Sequence, residues 1–168
     1  MFFMDVKDYK EVFAATSICM TNDPNTYKHS SLKHSMRNGL TAFFHFSLSK
    51  AIDCTKTCFG ISVTQQGNRL LKYRDEQDKF KPSVFSIILM TDNGKLIKAT
   101  DDDDFNMNMN SADMYTTLAA GNYIVAVDPI WNETASKDEA YKDIVFDIYS
   151  PEQISISAID IEAGFRTL

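Results

Sequence analysis

The sequence predicts an all-β fold: an antiparallel β-sandwich of about eight strands with a short N-terminal helix. Three observations predict it. Apolar residues recur with a period of two in one short stretch after another. Turn residues or long polar intervals separate those stretches, and a helical period shows convincingly only near the N-terminus. Short strands in this number bury their apolar faces most economically as two sheets packed face to face. The chain of 168 residues is long enough for one such domain with a core of its own.

Along the chain, Asp5 to Thr16 reads as the helix. Val6, Tyr9 and Phe13 make one apolar stripe, Asp5 suits the N-cap, and Asp8 places negative charge in the first turn. Asn22 to Asn38 contains Pro24, several Ser and Lys, and little periodic apolarity, so it reads as loop or linker. Ala42, Phe44, Phe46 and Leu48 then alternate with His45 and Ser47, and Phe59, Ile61 and Val63 alternate with Gly60, Ser62 and Thr64. Val84 to Met90 is apolar enough for a central strand. Asp92-Asn93-Gly94 supplies hairpin chemistry before Lys95 to Ala99. Tyr115 to Leu118 leads through Ala119-Ala120-Gly121 into Asn122 to Val127. Ile144, Phe146 and Ile148 alternate again, and Pro151 breaks the chain before Ile154 and Ile156. The domain reading is a helix and linker over 1–38, the sandwich over 39–160, and a tail over 161–168.

The 17 basic and 23 acidic residues give a net charge of −6, which argues against nucleic acid as a partner. No stretch approaches the length of a membrane span, and the first residues carry neither a basic n-region nor a long apolar h-region. Cys19, Cys54 and Cys58 are odd in number, and the Cys54–Cys58 pair has no second pair at zinc-ligand distance. They read as reduced thiols, and the location expected is cytoplasmic or cytoskeleton-associated.

Function in a sandwich gathers on the loops, here Asn68 to Pro82, Asp101 to Asp113 and Asn132 to Lys142. The run Asp101, Asp102, Asp103, Asp104 sets four carboxylates side by side, a surface feature that solvent or a cation must stabilise. On the EF-hand pattern Asp102, Asp104, Asn106 and Asp113 fill positions one, three, five and twelve. Position six, however, holds Met107 where the turn needs glycine, and the preceding segment is strand-like. The candidate metal site is therefore a looser calcium site on Asp101 to Asp104, set against a plainly solvated loop. Arg69, Lys72, Arg74, Lys79 and Lys81 cluster in another loop and could meet anionic lipid. Asp75, Glu76 and Asp78 interrupt them, so peripheral membrane contact is not favoured. None of His29, His34 and His45 stands in a motif that places it beside a cysteine, so no catalytic residue is assigned.

Several pieces taken in order resemble the calpain family. Phe2-Phe3-Met4-Asp5 through Phe13, followed by Ile18-Cys19, resembles the end of its protease core. Ile61 to Gln65 with the basic loop after it, and Phe85 to Leu89, are similar to successive strands of its C2-like domain. Leu118 to Pro129 is similar to a hairpin of that domain, and Phe146 to Ser150 to its closing strand. The likeness spans roughly residues 2–157. It implies a calpain C2-like sandwich (domain III) without the Cys, His and Asn segments of the protease. That would be a non-catalytic structural or protein-interaction module, within a larger calpain-like protein or as a small subunit of an assembly. The alternatives it implies are a calcium- or phospholipid-responsive regulatory domain, or the regulatory fragment of an active cysteine protease. The family's acidic loop precedes the strand ending in Gln, whereas here the Asp run comes later. No cofactor other than calcium is expected.

Overall fold

The computed structural model describes residues 25–37, 40–52, 59–65, 83–100, 111–130 and 141–160. They form nine strands: β1 (Lys28–Arg37), β2 (Ala42–Leu48), β3 (Phe59–Gln65), β4 (Val84–Thr91), β5 (Leu96–Ala99), β6 (Ser111–Thr116), β7 (Gly121–Ile130), β8 (Tyr141–Ser150) and β9 (Ile156–Ile159). They make a four-stranded sheet in the order β1-β8-β3-β6 and a five-stranded sheet in the order β5-β4-β7-β2-β9. Every pairing is antiparallel. The all-β sandwich read from the alternation is the architecture observed. The N-terminal helix reading falls outside the described residues.

The two-residue period sets the core. Phe44, Phe46 and Leu48 of β2, Phe85, Ile87 and Leu89 of β4, and Tyr123, Val125 and Val127 of β7 point inward from the five-stranded sheet. They meet Phe59, Ile61 and Val63 of β3, Met114 of β6, and Ile144, Phe146 and Ile148 of β8. Stacked rings join the layers: Phe44 lies 4.3 Å from Phe146 and Phe46 lies 5.3 Å from Phe59. Such aromatic pairs add about 0.5–1.5 kcal/mol beyond the area they bury.

The chain changes sheet at nearly every connection. Of consecutive described strands, only β4 and β5 share a sheet. They form the hairpin predicted at Asp92-Asn93-Gly94, where Gly94 adopts φ +82° and donates its N–H to the Thr91 carbonyl at 2.9 Å. The turn at Ala119-Ala120-Gly121 is different. It carries the chain from β6 in one sheet to β7 in the other, so the hairpin expected there is a corner. Leu118 and Ile52 pin that corner through a two-residue bridge, with N–H···O distances of 2.7 and 3.1 Å.

Two further expectations change. Lys28–Arg37, read as linker, is a full strand of the four-stranded sheet, paired with β8 from Lys28↔Ser150 to Arg37↔Tyr141. Its inward positions are Ser30, Leu32, His34 and Met36, so half of its core stripe is polar and the alternation is hidden. Those polar groups have partners inside. Ser30 Oγ accepts from Gln153 Nε2 at 2.8 Å and from the Ile154 N–H at 3.1 Å, and the His34 ring meets the Phe44 ring edge-on at 5.3 Å. The second change concerns loop ends: β6 begins at Ser111 and β8 at Tyr141, so the loops read to Asp113 and Lys142 are shorter.

A buried glutamine ties the layers together at one end. Gln65, the last residue of β3, presents its amide to Ser83 as a strand neighbour would. Nε2 donates to the Ser83 carbonyl at 2.6 Å, and Oε1 accepts from the Ser83 N–H at 2.9 Å. Lys142 Nζ donates to Ser83 Oγ at 2.9 Å. Both Gln65 and Ser83 are buried, so the exchange satisfies backbone groups that water does not reach.

Candidate functional site

The outer faces of the two sheets carry different chemistry. On the four-stranded sheet, antiparallel register places His29, Tyr149, Gly60 and Tyr115 in one row across β1, β8, β3 and β6. The next row on the same face is Ser31, Asp147, Ser62 and Asp113. Two Asp-x-Tyr pairs, Asp113/Tyr115 and Asp147/Tyr149, therefore flank a central strand whose outward residues are the small Gly60 and Ser62. A side chain at Gly60 would meet Tyr115, whose Cε1 lies 3.0 Å from the position of a Cβ there. The glycine thus lets the Tyr115 ring lean across β3, and Tyr115 as a whole stays 47% exposed.

His29 fixes the other wall. Its ring stacks on Tyr149 with centroids 4.8 Å apart and planes 10° from parallel, and Nε2 lies 2.7 Å from Asp147 Oδ1. Asp147 is buried although it is on the outward face. Burial raises the pKa of the Tyr149 phenol, and the carboxylates of Asp147 and Asp113 and the Tyr115 phenol raise it further. Further along this face Lys33 Nζ lies 2.6 Å from Asp143 Oδ2, an exposed pair. Hydrogen bonds from Lys33 and Ser35 hold the Asp143 carboxyl below the usual carboxylate range.

On the five-stranded sheet one outer row is wholly apolar. Ala99, Ile88, Ala126, Phe43 and Ile159 lie opposite one another across β5, β4, β7, β2 and β9. Leu96, Met90, Ile124, His45 and Ser157 make the adjacent row. Leu96, Ile130 and Ile159 are exposed. Polar pairs cross the same face on either side of these rows: Thr41 Oγ1 donates to Asp128 Oδ1 at 2.7 Å, and Ser47 Oγ to Asn122 Oδ1 at 2.7 Å.

Asp101 to Asp104, the Arg69 to Lys81 cluster and Cys19, Cys54 and Cys58 lie outside the described residues. Asp113, the twelfth position of the EF-hand reading, sits mid-strand in β6 opposite Ser62, where that motif has its second helix, so the EF-hand spacing is a coincidence of sequence. Among the described residues no three His, Cys, Asp or Glu side chains gather as a metal site. None of the described residues forms a helix long and apolar enough to cross a membrane. The three histidines part company: His29 is outward on β1, His34 faces the core edge, and His45 is outward on the five-stranded sheet. The His29–Asp147 pair went unseen in the sequence because 118 residues separate its members, and only the β1–β8 register joins them.

Comparison of the chain with protein-family models and with curated proteins finds no match.

Proposed function

We propose that this chain is a non-catalytic protein-interaction module, the role that its resemblance to the calpain C2-like domain implies, and that a partner protein or domain covers the outer face of the five-stranded sheet. One observation carries the reading: an apolar row runs unbroken across all five strands on the face turned away from the core. An antiparallel sheet with one face in water ordinarily alternates apolar-in with polar-out. Ala99, Ile88 and Phe43 of that row are half-buried, Ala126 is buried and Ile159 is exposed, and contiguous apolar surface that reaches solvent on a folded domain marks a contact surface. Burial would stabilise the complex by roughly 25 cal/mol per Å² of apolar area.

The test places a photo-cross-linking residue at Leu96 or Ile130, both well exposed, and at Lys33 on the opposite sheet as a control. A stoichiometric partner cross-linked from Leu96 and Ile130, not from Lys33, and lost with Ile159→Glu is the expected result. A chain that stays monomeric in its native extract and cross-links to nothing from either apolar position would refute the proposal.

A further inference from the structure

We infer that β1 is a docking edge for a second copy of this chain. Two β1 strands pair antiparallel about a twofold axis at Leu32, doubling the four-stranded sheet to eight strands. The edge is separate from the apolar face of the other sheet, and either can fail without the other.

The four edge strands differ in what they offer. β5 and β9 are four residues long, and the register of β5 on β4 shifts between Leu89 and Met90. β6 has six residues, and Lys98 Nζ already donates to its Tyr115 carbonyl at 2.9 Å. β1 runs for ten residues, paired with β8 without a register shift and without a proline. In an antiparallel pair, the residues that exchange no bonds with the neighbouring strand turn their N–H and C=O groups the other way. From Lys28 to Met36, no described residue outside β8 takes up those backbone groups. Such a row is a template for another strand.

The occupant follows from the sequence of the edge. Inward and outward residues alternate along β1, so a twofold axis perpendicular to the sheet sets inward residues against inward ones. Two such registers pair nearly the whole strand. One is centred on Lys33 and sets that lysine against its twin, the like-charge contact by which edge lysines keep strands apart. The other is centred on Leu32. It sets Leu32 on its twin, Ser30 opposite His34, Ser31 opposite Lys33 and Lys28 opposite Met36, so no two lysines stand opposite each other. Leu32 and His34 are half-buried in β1, and their counterparts in the second copy cover them. On the outward side, Ser35 separates the exposed Asp143 from the exposed His29 of the second copy, which sets a carboxylate and an imidazole in one row. An unrelated extended peptide would share the backbone bonds but not this pairing of side chains.

The full chain is followed by sedimentation from about 1 μM to about 1 mM, the range of a small, transient interface. Dimers are expected to accumulate as the concentration rises. Leu32→Lys and Leu32→Glu should each raise the dimer dissociation constant at least about tenfold, because each sets like charges against one another on the axis. An equimolar mixture of the two variants should recover dimers, which also shows that both remain folded. Leu96→Glu, on the apolar face, should leave the dimer unchanged. A photo-cross-linker at Lys33 should join an isotope-labelled copy to an unlabelled one at Ser31, a product distinct in mass from a partner protein captured at Leu96 and Ile130. A chain still monomeric at about 1 mM, a dimer that survives both Leu32 variants, or a mixture that stays monomeric would each overturn the inference. So would a dimer abolished by Leu96→Glu, or capture of another protein at Lys33 in place of a second copy.

Discussion

The two sheets present nearly interchangeable inner faces and opposite outer ones. Inward, each sheet supplies Phe, Ile, Leu and Val at alternate positions, and Phe44 on one stacks on Phe146 of the other. Outward, the four-stranded sheet carries Asp113 and Tyr115, His29 bonded to Asp147 and stacked on Tyr149, and the Lys33–Asp143 ion pair. The five-stranded sheet presents Phe43, Ile88, Ile124 and Ala126 in the same kind of position. Folding needs only the inner faces to match, because a shared core constrains both sheets alike. An apolar outer row contributes little to a core it does not touch. The proposed interaction reading rests on that outer face.

The largest effect that tests this division is on the inner side. Phe146 is fully buried and stacked on Phe44. Phe146→Ala should cost about 3–5 kcal/mol in urea unfolding, the usual range for a buried aromatic. Ile130→Ala, on the outer face, should stay within about 0.5 kcal/mol. Similar costs at the two positions would mean that Ile130 is packed as the core residues are.

A middle-sized effect is expected where the two layers are tied. Gln65→Ala leaves the Ser83 N–H and carbonyl without the amide that now pairs with both. Stranding a buried polar group costs about 1–3 kcal/mol, so the variant should unfold at lower urea with an unchanged m-value. If the loss is below about 0.5 kcal/mol, water replaces the glutamine there and the tie is incidental.

Strands whose inward residues are all apolar were legible in the sequence. β2, with Ala42, Phe44, Phe46 and Leu48, and β8, with Ile144, Phe146 and Ile148, declare their period outright. β1 was not, because Ser30 and His34 occupy two of its inward positions and are satisfied by partners 124 residues away or by an aromatic edge. Local pattern cannot anticipate such contacts. The hairpin at Gly121 is implied only by the resemblance of Leu118 to Pro129 to a family segment, and glycine between apolar runs reads the same whether the next strand joins the same sheet or the other. The outer-face grid was hidden for a related reason. Asp113-Met114-Tyr115 and Asp147-Ile148-Tyr149 are the same three-residue pattern, but only their shared neighbour β3 brings them together. The candidate calcium ligands drew the eye by adjacency in sequence. The grid is built by adjacency across strands, which register alone supplies.

The smallest effect expected is the dependence of stability on pH, and it has opposite signs at the two ends of the scale. Asp143 and Glu152 have pKa values below their ordinary ones, held down by hydrogen bonds from Lys33 and from Ser49. A carboxyl depressed in the folded state contributes stability above its unfolded pKa and loses it as pH falls through the folded value, so this part should fade below about pH 4. Both groups are exposed, and their share is small. Tyr149 runs the other way. Burial first, and then the carboxylates of Asp147 and Asp113, raise its phenol, so its contribution is full below about pH 10 and is lost as pH climbs through the folded value. Tyr123, on the inner face of the other sheet, is raised by burial alone. Urea unfolding across the alkaline range should therefore show a shallower loss for Tyr149→Phe than for the wild type. Asp113→Asn should flatten the wild-type curve in part, because it removes one of the charges that raise Tyr149, and it should do nothing in the Tyr149→Phe background. If Asp113→Asn changes the alkaline limb equally in both backgrounds, Asp113 and Tyr149 are not electrostatically joined, and the grid is a coincidence of register.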